Sequence, residues 1–259
     1  MHPNRTFDLY PLRFRIVCMR PARLTPNLLR GAFGSALKKL SEADYARFFA
    51  PTTPAGTRIG PGKAPSGLAD PPRPFVFRLV DSANIGMNVF PTREPALELF
   101  TRALHHVHAF TIESVSGTEL LRLPLAPGPA PVSRLRVHFL TPTELKGASQ
   151  PEFGVLLSRI RDRISTLRHL YGAGPLDIDF KAFGDRANRV AMTRCDLVSV
   201  TATRTSRGTG QSHSLGGFTG ICDYEGDLAE FVPYLEIARW TGVGRQTVWG
   251  KGEIRYETF

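Results

Sequence analysis

The sequence has few cysteines, few lysines and no long apolar run. Its three cysteines, Cys18, Cys195 and Cys222, are widely spaced and form no CxxC pair, which argues against a disulfide framework or a structural zinc site. The run of about 18 apolar residues that a membrane-spanning helix needs is missing. Residues 1–10 are polar and lack the apolar stretch of a signal peptide. We therefore expect a cytoplasmic protein with no membrane partner.

Basic residues outnumber acidic residues, and most of them are arginine. The 259 residues include 33 Lys and Arg against 23 Asp and Glu, a formal charge of +10, and six of the basic residues are lysine. Arginine binds phosphate bidentately and stacks on bases. The charge therefore favours a polyanionic partner such as nucleic acid. A GC-rich genome that favours arginine codons is the alternative explanation.

The first 116 residues predict the order β-α-β-β-α-β, which is that of a ferredoxin-like domain. Apolar residues alternate in the first strand and recur at helical spacing in the helix that begins near Pro26. Residues 51–74 contain 7 Pro and 4 Gly, which predicts a loop. The predicted strands are residues 7–19, 75–80, 85–90 and 110–115, and the second helix is 95–107.

The same order can be assigned again after a proline-rich linker at residues 123–131. It consists of strands at 134–140, 176–183, 190–203 and 247–256, with helices at 151–171 and 227–240. The sequence thus predicts an α+β fold of two tandem ferredoxin-like domains. Their predicted limits are residues 1–122 and 132–259.

Positive charge is concentrated in the first strand and helix. Residues 1–41 hold eight Arg or Lys and one acidic residue. On the helix that follows, the apolar residues share one face, while Arg30, Gly34 and Lys38 line up on the opposite face. We expect Gly34 to leave a notch between two cations that a sugar-phosphate backbone can approach. A solvated basic face is the alternative interpretation.

A glycine-rich motif occupies residues 242–252, after a predicted helix and before a predicted strand. It does not match a dinucleotide-binding motif, because that motif needs the strand before and the helix after its glycines. Glycines in this position expose backbone N–H groups, and with Arg245 and Lys251 they predict an anion-binding concavity for RNA phosphates. On the long helix predicted at residues 151–171, Arg159 and Arg163 indicate either a second phosphate contact or an ordinary solvent-exposed face.

Three passages together resemble the CRISPR repeat-RNA processing endoribonucleases of the repeat-associated mysterious protein superfamily. They are residues 28–37 with 72–77, residues 138–142, and residues 217–252, which run from a Gly-Phe-x-Gly segment through a helix to the glycine-rich motif. The resemblance covers most of the chain. It implies two tandem ferredoxin-like domains, as the element order predicts independently.

The resemblance also implies an activity. A CRISPR precursor transcript would be cleaved inside each repeat without a metal ion or other cofactor. The ribose 2'-hydroxyl would attack the adjacent phosphate and leave a 2',3'-cyclic phosphate and a 5'-hydroxyl. The enzyme would then stay bound to the 3' repeat hairpin of the mature guide RNA, with other CRISPR effector subunits as partners.

The sequence departs from this family near the first helix, where members often carry a catalytic histidine. It has no histidine between Pro3 and Leu104. We therefore expect Arg23, Arg30 and Lys38 to act in catalysis by stabilising the charge of the transition state. A non-catalytic RNA-binding subunit of the same superfamily is the alternative. The residues expected to bind RNA are Arg20, Lys39, Arg159, Arg163, Gly244, Arg245, Gln246 and Lys251.

Overall fold

The computed structural model describes residues 5–18, 24–49, 71–91, 96–201, 203–205, 212–214 and 216–259. Most of the loop predicted at residues 51–74 lies outside these ranges, and its last residues lead into a strand. Among the described helices, none combines the length and the apolar character that crossing a membrane requires.

The N-terminal domain is an antiparallel sheet with two main helices, and its element order is the predicted β-α-β-β-α-β. The main elements are β1 (Thr6–Val17), α1 (Pro26–Leu40), β2 (Phe75–Leu79), β3 (Asn84–Val89), α3 (Leu97–His105) and β4 (Thr111–Ser116). These four strands have the order β2-β3-β1-β4, and a fifth strand, described below, pairs with β1. A short helix α2 (Glu42–Asp44) and a π-helical turn (Tyr45–Phe49) follow α1.

Helix α1 begins where the sequence predicts it and buries the predicted apolar face. The Thr25 side chain accepts a hydrogen bond from the Leu28 N–H at 3.1 Å, and Pro26 takes the first helical position, where its missing N–H costs nothing. Phe33 is fully buried, and its ring meets the rings of Phe75 and Phe100 edge-to-face. These contacts fix α1 on the sheet and leave its other face toward the C-terminal domain.

The C-terminal domain repeats the architecture. Its elements are β6 (Arg134–Thr143), α4 (Phe153–Tyr171), α5 (Phe180–Ala187), β7 (Ala191–Val200), β8 (Thr203–Thr205), β9 (Ser212–Ser214), β10 (Gly217–Glu225), α6 (Val232–Thr241) and β11 (Ile254–Thr258). The main sheet has the order β11-β6-β10-β7, which is the same topology as in the first domain. Strands β8 and β9 form a separate two-stranded ribbon between β7 and β10 in the chain. The predicted fold of two tandem ferredoxin-like domains is confirmed.

Two strand predictions in this domain are wrong. The segment predicted as a strand at 176–183 leads into helix α5, because the Asp179 side chain caps the helix through the Ala182 N–H and Phe183 and Ala187 form its buried face. The strand predicted at 247–256 is a 3₁₀ turn, Thr247–Trp249, followed by the shorter β11. The third strand of the domain is instead β10, which the sequence analysis did not assign.

The first strand contributes to both domain cores. Strand β5 (Leu121–Pro124) pairs with the first residues of β1. Phe7 and Leu9 belong to the hydrophobic core of the C-terminal domain, whereas Leu12 and Phe14 belong to that of the N-terminal domain. The limit placed at residue 122 falls within β5, and the domain limits stay a prediction.

Candidate functional site

The glycine-rich motif lies against the first turn of α1. Gly250 has a φ of +88°, and a Cβ there would lie 2.5 Å from the Cβ of Pro26. Only glycine allows this backbone conformation and this close approach. Helix α1 and residues 242–252 therefore form one surface, which we call the helix–loop surface.

Arg30 lies where the helix meets the loop. Its guanidinium carbon is 4.6 Å from the ring centroid of Phe49 and 5.4 Å from that of Trp249. Each ring attracts the cation by about 0.5–2 kcal/mol, depending on its exposure. The two rings thus hold a positive charge at the junction, with one ring supplied by each domain.

The notch expected at Gly34 is filled. A Cβ at Gly34 would collide with the ring of Phe49, and Gly34 itself is buried. The missing side chain lets an aromatic ring pack against the helix, so the expectation that a sugar-phosphate backbone approaches at Gly34 is wrong. The guanidinium of Arg30 stacks on this same Phe49 ring. Gly34 therefore helps to position Arg30, because it makes room for the ring.

Lys38 and Lys39 lie on the exposed part of α1, away from the loop. The ammonium of Lys38 is 3.6 Å from a carboxylate oxygen of Glu42 and 5.7 Å from the ring centroid of Tyr45. Eight residues separate it from Arg30, about 12 Å along the helix axis. The structure therefore does not bring Arg30 and Lys38 together at one phosphate.

The two cations of the glycine-rich motif share one carboxylate. Arg245 Nη1 donates to Glu144 Oε1 at 2.8 Å, and Lys251 Nζ donates to Glu144 Oε2 at 3.0 Å. Lys251 also donates to the side-chain oxygen of Gln246 at 3.0 Å and is 3% exposed, whereas the Arg245 side chain is 59% exposed. Lys251 thus stabilises the loop from inside, and Arg245 is the cation that faces solvent.

Glu144 also holds the loop through its backbone. Its carbonyl accepts from the Arg245 N–H at 3.1 Å, and a Cβ at Gly244 would collide with that carbonyl. Burial raises the pKa of the Glu144 carboxyl, but the hydrogen bonds and charges of Lys251 and Arg245 outweigh burial and lower it overall. Gln246 has a φ of +60°, so three consecutive residues of the loop are held in a tightly specified shape.

The remaining predicted residues lie apart from this surface or outside the described ranges. Arg159 Nη2 donates to the carbonyl of Lys146 at 3.0 Å, and Arg163 Nε donates to the carbonyl of Thr241 at 3.0 Å. Burial and the nearby charge of Arg78 both lower the pKa of Arg163. These two arginines hold backbone segments and do not form a continuous phosphate track. Arg20 and Arg23 lie outside the described residues.

The sequence analysis missed Glu144, Phe49 and Trp249 as organising residues. Glu144 lies 101 residues before its partner Arg245, so spacing along the chain carries no signal for the pair. The one available signal was Gly34, since a glycine inside a helix often marks close packing. Within the described residues, no three or more His, Cys, Asp or Glu side chains are placed to hold a metal ion.

A family model matches the C-terminal part of the chain. Residues 137–254 match the model of the CRISPR-associated endoribonuclease Cas6, a range that includes Glu144 and the whole glycine-rich motif. No significant match was found among curated protein sequences.

Solved structures share the fold of the whole chain. A Cas6 product complex is 18% identical, with a TM-score of 0.60, and the alignment covers 96% of this chain and 99% of that one. A Thermus thermophilus Cas6 is 14% identical, with a TM-score of 0.64 and coverage of 97% and 99%. A chain of a Cas6-RT-Cas1–Cas2 complex is 11% identical, with a TM-score of 0.54; all of this chain aligns to 30% of that one. The C-terminal domain thus matches the family model of the CRISPR-associated endoribonuclease Cas6, and the whole chain has the fold of these solved Cas6 structures.

Proposed function

We propose that the protein cleaves CRISPR precursor RNA within its repeats and stays bound to the 3' repeat hairpin of the mature guide. The observation that carries the proposal is the helix–loop surface, where the glycine-rich motif and α1 hold Arg30 between Phe49 and Trp249. Two related Cas6 proteins were solved as product complexes and one as a substrate-mimic complex. The family match supports the same substrate class for this chain.

The reaction we propose needs no metal ion. The 2'-hydroxyl of one nucleotide loses its proton and attacks the adjacent phosphorus, the bond to the 5'-oxygen of the next nucleotide breaks, and that oxygen takes up a proton. The products are a 2',3'-cyclic phosphate and a 5'-hydroxyl. Negative charge builds on the phosphoryl oxygens during this step, so a fixed cation beside them lowers the barrier.

Arg30 is the best-placed candidate for that cation. The rings of Phe49 and Trp249 restrict its guanidinium, so little reorganisation is needed when the charge develops. Lys38 is the second candidate, and its ion pair with Glu42 is solvent-exposed, which makes it easy to exchange for a phosphate. Arg23 is the third candidate, from the sequence alone.

RNA binding is proposed to use the exposed part of the same surface. Arg245 is the exposed cation of the loop, and Lys39 extends the positive charge along α1. Gly244 and Gln246 give the loop its shape, and Lys251 supports it from inside through Glu144. A direct contact between Lys251 and a phosphate would require the ammonium to leave its carboxylate.

The test is cleavage of an RNA carrying the CRISPR repeat of the same genome, in the presence of EDTA. A second RNA carries one 2'-deoxy nucleotide at the cut site. We expect specific cleavage of the first RNA and none of the second, because the nucleophile has been removed. Metal-dependent cleavage, or cleavage of the deoxy RNA, would contradict the proposed chemistry.

Variants separate catalysis from binding. Arg30→Ala is expected to slow single-turnover cleavage by about 100-fold or more, the loss typical of an oxyanion-stabilising donor, with a smaller loss of hairpin affinity. Arg245→Gln is expected to weaken binding and reduce the salt slope by about one. Arg15→Gln is the control, since Arg15 is exposed and paired with Glu113. Equal losses of cleavage and affinity in Arg30→Ala would contradict a catalytic role.

The alternative is a non-catalytic subunit that binds guide RNA in a CRISPR effector complex. It is favoured by the missing histidine between Pro3 and Leu104, since general acid–base catalysis most often uses this side chain. Tight repeat binding without cleavage of either RNA would establish the alternative. Under both functions we propose other CRISPR proteins as partners, as in the Cas6-RT-Cas1–Cas2 complex of the relative, and a cytoplasmic location.

A further inference from the structure

A second positively charged site lies between the two domains, beside the helix–loop surface. It is a cavity of about 210 Å³, smaller than the roughly 300 Å³ at which pockets for drug-sized molecules begin. Four arginines and one glutamate line it, together with Asn88 and Trp240. The charged residues are Arg13 and Arg78 from the N-terminal domain and Arg239, Glu253 and Arg255 from the C-terminal domain.

Arg78 is the central residue of this cavity. Its side chain is 6% exposed, and its Nε lies 3.7 Å from a carboxylate oxygen of Glu253. One of its terminal nitrogens donates to the carbonyl of Phe77 at 3.2 Å. Among the described residues, neither Nε nor Nη2 has a hydrogen-bond acceptor. Buried polar groups in proteins nearly always have such a partner, so these donors indicate a ligand that supplies acceptors.

The charge around Arg78 is not balanced. Burial and the positive charge of Arg13 both lower the pKa of Arg78, and Glu253 only partly offsets them. Arg78 in turn lowers the pKa of Arg163. Arg239 has its own partner, a carboxylate oxygen of Glu236 at 2.7 Å. Among the described residues that line the cavity, Glu253 is the one carboxylate beside several guanidinium groups. An anion would therefore relieve their repulsion.

Arg13, Asn88 and Trp240 contact one another in the other walls of the cavity. Arg13 donates to the side-chain oxygen of Asn88 at 3.3 Å, and its guanidinium carbon lies 5.7 Å from the ring centroid of Trp240. The Asn88 amide nitrogen donates to the carbonyl of Trp240 at 2.8 Å. These contacts join the domains across the cavity and fix the donors before a ligand arrives, which reduces the entropic cost of binding.

We propose that this cavity binds one phosphate group, held by Arg13 and Arg78 from one domain and by Arg239 and Arg255 from the other. Guanidinium groups that approach from different directions match the oxygens of a tetrahedral phosphate better than a planar carboxylate. The phosphate belongs either to an RNA backbone or to a free phosphate compound. The proposal concerns a site separate from Arg30 and does not depend on RNA cleavage.

Thermal unfolding of the full chain in sodium phosphate, compared with sodium chloride at equal ionic strength, tests the proposal. A ligand that binds only the folded state raises the unfolding midpoint as its concentration rises. We expect this rise for the wild type and for Arg15→Gln, the matched control from the same strand outside the cavity. Arg13→Gln is expected to weaken phosphate binding about ten-fold, the loss of one charge-assisted hydrogen bond.

Glu253→Gln changes affinity in the opposite direction. It removes the carboxylate that repels an anion and competes for Arg78, so phosphate should bind several-fold more tightly. This gain distinguishes a specific site from general destabilisation by a variant. The proposal is overturned if phosphate stabilises the wild type no more than chloride does, or if it stabilises Arg13→Gln as much as the wild type.

RNA binding distinguishes the two sources of the phosphate. The probe is a fluorescent oligouridylate, titrated into the wild type, Arg13→Gln and Arg15→Gln. A loss of affinity confined to Arg13→Gln, with a salt slope reduced by about one, assigns the site to an RNA phosphate. Equal RNA affinities, with phosphate binding lost in Arg13→Gln, assign it to a free phosphate compound. Neither result depends on whether repeat RNA is cleaved.

Discussion

The carboxylate of Glu144 offers a direct test of how the glycine-rich motif is held. In Glu144→Gln, the buried Lys251 ammonium loses its anionic partner, while Gln246 remains as one acceptor. A hydrogen bond to a charged group contributes about 1.5–3 kcal/mol, and Lys251 at 3% exposure cannot replace it with water. The Arg245 side chain is 59% exposed, so its share is at most about 1 kcal/mol. We expect a total loss of about 2 kcal/mol.

Urea unfolding of the variants measures this loss. In a thermal unfolding experiment on a chain of this size, a loss of about 2 kcal/mol in the free energy of unfolding lowers the midpoint temperature by about 4–8 °C. The matched control is Glu113→Gln, which removes the same charge from an exposed ion pair with Arg15 and should cost less than about 1 kcal/mol. In Glu144→Gln/Lys251→Met, much of the lost stability should return, because no unpaired ammonium remains buried. Equal stability of the two single variants would refute the reasoning.

The same interaction sets a pH dependence. The folded-state pKa of Glu144 is lower than its ordinary value of 4.5, so the folded state favours the ionised form. Its contribution is therefore complete above about pH 4.5 and is lost as the pH falls through the lowered pKa. The stability difference between wild type and Glu144→Gln should be constant near neutral pH and shrink in acid. A difference that grows as the pH falls would contradict this assignment.

Three further substitutions test the packing of α1 and a hydrogen bond between the domains. Gly34→Ala should destabilise the protein by about 1–3 kcal/mol, because the new methyl group meets the ring of Phe49. Gly31 lies on the same helix, and a Cβ there would have no atom within 4 Å. Gly31→Ala should therefore stabilise the protein by up to about 1 kcal/mol. If chemical denaturation finds Gly34→Ala more stable than Gly31→Ala, the packing argument is excluded. Tyr171→Phe removes the hydrogen bond from the hydroxyl to the Pro72 carbonyl at 2.6 Å and should cost about 1 kcal/mol, whereas unchanged stability would show that this contact between the domains contributes nothing.

The parts of the fold that follow from local pattern were predictable. Helix α1 shows its apolar face and its first-turn proline in the sequence alone, and the structure confirms both. The segment before α5 misled the prediction because Leu176, Ile178 and Phe180 alternate as a strand would. The hydrogen bond by which Asp179 caps the segment, together with the burial of Phe183, favours a helix there. Because this burial depends on distant parts of the chain, the local pattern does not predict it.

The candidate site was predictable in its parts and not in its assembly. The glycine-rich motif and the basic helix were both identified, but the sequence does not show that Trp249 reaches Arg30 or that Phe49 fills the space at Gly34. Lys251 appeared as a surface cation because its partner Glu144 is far away in the chain. Charge is visible in a sequence, whereas its neutralisation by a distant residue is not.

Strand β1 ties the folding of the two domains together. Its first residues, Phe7 and Leu9, complete a core whose other members come mostly from beyond residue 134. During synthesis these two side chains are made well before Ile237 and Ile254, which belong to the same core, so that core can be completed only after those later residues have been made. A fragment that begins after the linker would lack both side chains and expose the surface they cover. Such a fragment is therefore expected to be less stable than the same domain in the full chain.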